Sequence, residues 1–186
     1  MEQIEIQLED SLNRVNFIFK NEEITTESVS DHNGFSILGE SFGPFEKGKK
    51  YRLPYFVALP FIENNVLKID SEEKCDNTDV QRYAISERDD QKLLQSDNRL
   101  FLNKIKEFRF FIEKEVSEKK VPKLDLDRFN SYSINIVDSR LLKLLKLART
   151  SLSLNDERKL TTSERLLFTK LFDVIKVWRD FFLTKN

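Results

Sequence analysis

Apolar and polar positions alternate with one period near the N-terminus of the chain and another toward its C-terminus. Ile4, Ile6 and Leu8 alternate with Glu5, Gln7 and Glu9, and Val15, Phe17 and Phe19 repeat the alternation. A period of two predicts strands. Phe35, Ile37 and Leu38 precede a run of turns, and Val66, Leu67 and Ile69 close the segment as a further short strand. All four glycines (34, 39, 43 and 48) and three of the four prolines (44, 54 and 60) fall in this part. Short strands between such turns predict a small, strongly bent sheet. One stretch differs: Pro54 stands where a helix can begin, and Tyr55, Ala58, Leu59 and Ile62 recur at helical spacing. Pro60 predicts that this helix is short or broken.

The remainder carries the helical period. Ser86 and Asp89 fit a capping box that would open a helix. Leu94, Phe101, Ile105, Phe108 and Ile112 then form one apolar stripe, ended by Val121-Pro122. Asp138 can cap a helix bearing Leu141, Leu144, Leu145 and Ala148, and Thr161 with Glu164 forms another capping box. A long closing helix follows, marked by Leu167, Leu171, Val174, Ile175, Trp178 and Phe181. The run from Ser71 to Asp79 is polar, lacks periodicity and reads as a linker. The expected fold class is α+β: a small N-terminal β-rich domain (1–72), a linker (73–81) and a larger C-terminal α-helical domain (82–186).

Composition narrows the function. Hydrophobic residues make up 39% of the 186 residues and include 16 Phe, so a core is available. One cysteine, Cys75, excludes an intrachain disulfide, and one histidine, His32, excludes a His-pair metal centre. The longest uncharged stretch, Leu53 to Ile62, is far short of a membrane span, and the acidic start shows no secretory signal. A cytoplasmic protein is expected. The formal net charge of −1 conceals an asymmetry, since residues 1–75 sum to −6 and residues 76–186 to +5. Opposite signs suggest two units with different partners.

No catalytic set emerges. There is no Gly-x-Ser-x-Gly frame, and the glycine spacing fits no phosphate loop. His32 lies in a turn, and the adjacent carboxylates Glu22-Glu23, Glu72-Glu73 and Asp89-Asp90 point apart on either a strand or a helix. Asp125 and Asp127 lack a third ligand at useful spacing. No enzyme activity, cofactor or metal is expected. Arg140, Lys143, Lys146 and Arg149 follow every three residues on one predicted helix, with Lys119, Lys120 and Lys123 nearby. Two readings stay open for this row: a contact for nucleic-acid phosphate, or the polar face of an amphipathic helix. No aromatic is interleaved with it for base stacking. The closing helix carries Val174, Ile175, Val177, Trp178, Phe181, Phe182 and Leu183, more than one narrow stripe. A small domain hides only part of its apolar surface, so this excess suggests a protein partner. Leu167, Leu171, Trp178 and Phe181 are the expected anchors, Trp178 foremost.

Two stretches carry a resemblance. Gly43-Pro44-Phe45-Glu46-Lys47-Gly48-Lys49-Lys50-Tyr51-Arg52-Leu53-Pro54, with the Ala-containing run Tyr55 to Leu59, resembles the small β-rich domain of GINS subunits. Ile62 to Ile69 resembles its closing turn and strand. The Arg-led leucine helix from Arg140 to Ala148, followed by the Leu-Thr-x-x-Glu opening of Leu160 to Glu164, resembles the helical domain of the same family. The β-first order is similar to the archaeal subunit grouped with the eukaryotic Psf-two and Psf-three subunits. Tyr55-Phe56 stands where that group commonly has a Trp. The resemblance implies a non-enzymatic DNA replication factor. It would assemble with a helical-domain-first partner subunit, two copies of each, and join the MCM helicase and a Cdc/RecJ-like protein.

Overall fold

The computed structural model describes residues 2–37, 39–73, 75–96 and 98–184. Leu38, expected in a strand, and Lys74, expected in the linker, lie outside the described residues. A small N-terminal β-rich region is followed by a larger C-terminal α-helical region. The chain divides into two compact units, residues 16–74 and residues 1–15 with 75–186.

The chain opens with helix α1 (Glu2–Lys20), which corrects the expectation of two strands. The physical reason lies in a second pattern within the same residues. Leu8, Leu12, Val15 and Phe19 advance by four, three and four, one face of a helix. No Gly or Pro interrupts them, and Glu, Gln and Leu favour helix. Val15 and Phe19 are buried, whereas Ile6 and Phe17, inward members of the expected strands, are exposed.

In the smaller unit β1 (Glu23–Ser28) is the central strand of an antiparallel sheet ordered β4-β1-β5, with β4 at Lys50–Pro54 and β5 at Leu67–Ile69. The register sets Ile24 opposite Leu53 and Ser28 opposite Leu67. A separate hairpin pairs β2 (Phe35–Ile37) with β3 (Glu40–Phe42). Glycine is required where this hairpin closes. A Cβ on Gly34 would sit 2.1 Å from the Phe42 carbonyl oxygen, and Gly34 and Gly43 both have positive φ. Helix α2 (Tyr55–Glu63) starts directly after Pro54 and runs nine residues through Pro60. Phe19, Ile24, Phe45, Leu53, Tyr55, Ala58 and Leu67 form the core of this unit.

The larger unit contains α3 (Asn77–Asp89), α4 (Phe101–Ser117), α5 (Lys123–Leu147), α6 (Leu154–Lys159) and α7 (Thr162–Leu183). Four expected boundaries move. Residues 77–81 are the first turns of α3 rather than linker, because the Asp76 carboxylate accepts the Thr78 and Asp79 N–H groups at 2.8 and 2.9 Å. Ser86 and Asp89 therefore lie at the end of α3 instead of opening a helix. Asp138 is interior to α5, since no Gly or Pro follows Pro122 to interrupt the helix there. Leu94 precedes α4 rather than joining its stripe. The Thr161–Glu164 capping box is present at the start of α7. Helix α5 packs against α3 and α4 and buries Phe129, Ile136 and Leu144.

Candidate interaction site

Every third residue on a helix turns by about 300°, so a row at that spacing slips about 60° per step around the axis. Arg140 and Lys146 consequently lie well apart around the axis, and Arg149, expected on the same helix, lies past the end of α5, so the basic row splits. Arg140 is 1% exposed and Lys143 is buried, whereas Lys146 and Arg149 face solvent. Leu145, expected on the apolar stripe of this helix, is exposed, as is Leu142. The row is therefore neither a continuous phosphate-binding strip nor the polar face of α5.

Arg140 is instead fully engaged in the core. Its Nε and Nη2 donate to the two Glu164 oxygens at 2.5 and 2.8 Å, a bidentate pair. Its Nη1 donates to Tyr83 Oη and Glu87 Oε2, both at 2.8 Å, and to the Leu94 carbonyl at 3.0 Å. Its Nη2 also donates to the Lys159 carbonyl. Lys143 Nζ donates to the Glu87 carboxylate at 2.5 Å, to the Glu87 carbonyl and to the Lys92 carbonyl. Two cations thus meet two carboxylates, Glu87 and Glu164, and the cluster is neutral. Burial alone would lower the Arg140 pKa, but the hydrogen bonds and charge of Glu164 outweigh it and hold the guanidinium firmly protonated. Burial also raises the Tyr83 pKa, so its hydroxyl remains a neutral partner. The cluster ties α3, α5 and α7 together and leaves Arg140 no donor for an outside ligand. It is a clasp, and its chemistry is structural.

The interaction candidates lie elsewhere in this unit. Leu167 and Leu171, two of the four expected anchors, are half-buried against a cluster of Leu93, Leu144, Ala148, Leu160 and Phe168. The other two, Trp178 and Phe181, are exposed at 64% and 80%. Val174, Val177, Phe182 and Leu183 are exposed beside them. Trp178 and Phe182 touch each other, as do Phe181 and Phe182, with ring centroids 5.1 and 5.0 Å apart. The first half of α7 therefore belongs to the core and the second half is an uncovered apolar rod.

A second apolar feature was not singled out from sequence. A groove of about 760 Å³ runs between α4 and α5. Leu102, Ile105 and Phe110 line it from α4, and Ile134 and Val137 from α5. Ile134, Val137, Leu141 and Leu145 advance by three, four and four, and the first two of this stripe line the groove.

His32 is exposed, and its Nδ1 accepts the Gly34 N–H at 3.0 Å. Among the described residues no group of three or more His, Cys, Asp or Glu could hold a metal ion. No helix is long and apolar enough to cross a membrane among the described residues. Comparison with protein-family profiles and with curated proteins finds no match.

Proposed function

We propose that this chain is a non-catalytic DNA replication factor of the GINS type. In this reading it assembles with a helical-domain-first homologous subunit, two copies of each, and bridges the MCM helicase and a Cdc/RecJ-like protein in the cytoplasm of an archaeon, at the nucleoid. The observation that carries the proposal is the apolar end of α7, where Trp178 and Phe181 stand uncovered on a helix whose first half packs Glu164 and Phe168 into the core. Contiguous apolar patches of this size mark protein interaction surfaces on otherwise polar proteins. Two of the segments that carry the GINS resemblance, both helical, are also joined: Arg140, which leads the leucine helix, pairs with Glu164 of the Leu-Thr-x-x-Glu opening. The resemblance therefore rests on residues with a defined structural role.

Trp178 and Phe181 are the anchors, Trp178 being the residue type that most often dominates interface energy. Leu167 and Leu171 support them from the core side. The test is purification of the tagged chain from its native cells, followed by mass measurement of the intact complex. The expected result is a tetramer of two kinds of subunit accompanied by helicase components. Recovery of the chain without any replication protein would overturn the proposal.

A further inference from the structure

We infer that a small cleft between the C-terminal end of α5 and α7 binds a phosphate dianion, as free phosphate or as the phosphate group of a small monoester. The cleft has a volume of about 230 Å³. Arg149 and Ser151 line it from the segment after α5, and Lys176, Arg179 and Asp180 line it from α7. Arg149 is the member of the split basic row that reaches it. Ala148, Phe172 and Ile175 form its floor. Ala148 belongs to the core cluster of this unit and the other two pack against it, so the fold fixes the floor.

Charge selects the ligand. Arg149, Lys176 and Arg179 are exposed, and none forms an ion pair among the described residues. Asp180 stands four residues after Lys176, and Asp173 three before it, spacings that allow a helical ion pair, yet neither makes one. Arg179 Nη1 donates to the Arg149 carbonyl at 3.1 Å, which holds the two arginines side by side and leaves four N–H donors on Arg179. Like charges held together repel, and an anion between them relieves the repulsion. Three cations against one carboxylate give the lining a net charge of +2. A phosphate monoester carries about −2 at neutral pH and matches it, whereas each phosphate of a nucleic-acid backbone carries a single charge. Guanidinium forks take phosphate oxygens two at a time. The Ser151 hydroxyl and backbone N–H have no partner among the described residues and add two neutral donors. The volume is below the roughly 300–1,000 Å³ of sites that enclose a drug-sized molecule, so the cleft takes in a phosphate and little more. Phe181 stands about 200° around α7 from Arg179, so the cleft and the apolar strip face different ways and the site is independent of the assembly reading.

The test follows amide and arginine Nε resonances of the full chain during titration at neutral pH and constant ionic strength. Inorganic phosphate is expected to give saturable shifts at Ser151, Lys176 and Arg179. Lys176→Ala and Arg179→Ala should each weaken binding about tenfold, the typical value of a charged hydrogen bond. Lys176→Ala, at an exposed residue without an ion pair, should also keep the thermal midpoint of the wild type. Lys47→Ala, in the other unit, should bind as the wild type does. Methyl phosphate, a dianion, should bind about tenfold more tightly than dimethyl phosphate, a monoanion. Tighter binding of glycerol phosphate than of inorganic phosphate identifies the ligand as an ester, and the reverse order identifies free phosphate. The absence of saturable shifts overturns the inference, as does equal affinity of the wild type and Lys176→Ala. Equal binding of methyl and dimethyl phosphate overturns it as well and assigns the cleft to a phosphodiester backbone.

Discussion

The two halves of α7 treat charge and apolar surface in opposite ways. In the first half, Glu164 is 3% exposed yet satisfied, held by Arg140 and by the Thr161 backbone and hydroxyl groups. In the second half, Trp178, Phe181 and Phe182 stand in solvent. A charge inside and aromatics outside is the reverse of the usual arrangement. The first inversion is resolved within the chain, because every charge in the cluster has its opposite. The second is not resolved within the chain, and this asymmetry is the reason for assigning the C-terminal half of α7 to a partner.

The contrast can be broken most forcefully at Arg140. Arg140→Ala leaves Glu164 buried without its bidentate partner and Glu87 with Lys143 as its one cation, and breaking a buried pair from one side costs about 3–5 kcal/mol. Urea unfolding should show this loss. Lys146→Ala, six residues on in the same basic row but exposed, should stay within about 0.5 kcal/mol. Equal effects of the two would refute the split of that row.

Thr161→Ala probes the start of the same half. Loss of an N-cap side chain costs about 1 kcal/mol. Urea unfolding should place this variant between Arg140→Ala and wild type.

A smaller effect is expected in the β-rich unit. The backbone N–H of Glu72, and then Lys50, hold the Asp70 carboxyl below the usual carboxylate range. A lowered pKa stabilises the folded state above the unfolded value of about 4 and loses that contribution as pH falls through the folded one. Asp70→Asn should therefore flatten the acid side of the stability profile below about pH 4, measured by thermal melts.

The smallest effect sharpens the comparison from the other half. Trp178→Ala should change urea stability of the isolated chain by less than about 0.5 kcal/mol, because the side chain is largely in solvent already. The same variant should weaken assembly. A large loss of stability in the isolated chain would mean that Trp178 belongs to the fold.

Much of this architecture was legible in the sequence. The stripes of α4 and α7, the Thr161–Glu164 capping box and the turn-rich sheet all followed from periodicity and turn chemistry. The misreadings have physical causes. In α1 the alternation of Ile4, Ile6 and Leu8 coincides with a helical stripe that continues to Phe19, and length without a breaker favours the helix. Strand β1 was hidden because its inward positions are Ile24, Thr26 and Ser28, of which only one is hydrophobic. Thr26 is nonetheless buried, with its hydroxyl donating to the Tyr51 carbonyl at 3.1 Å. The burial of Arg140 and Lys143 depends on Glu87 and Glu164, 53 and 24 residues from Arg140 in the chain, and only tertiary structure brings them together. The slip of the basic row around α5 follows from its spacing alone and was open to prediction. For the groove, one bank could be seen in the stripe of Ile134 and Val137, but its depth depends on how α4 packs beside α5.

Amide hydrogen exchange along α7, in the assembly purified from native cells and in the isolated chain, tests the central claim most directly. Amides of residues 174–183 are expected to become protected in the assembly while those of residues 165–172 change little. Equal exchange at residues 174–183 in both samples would contradict it.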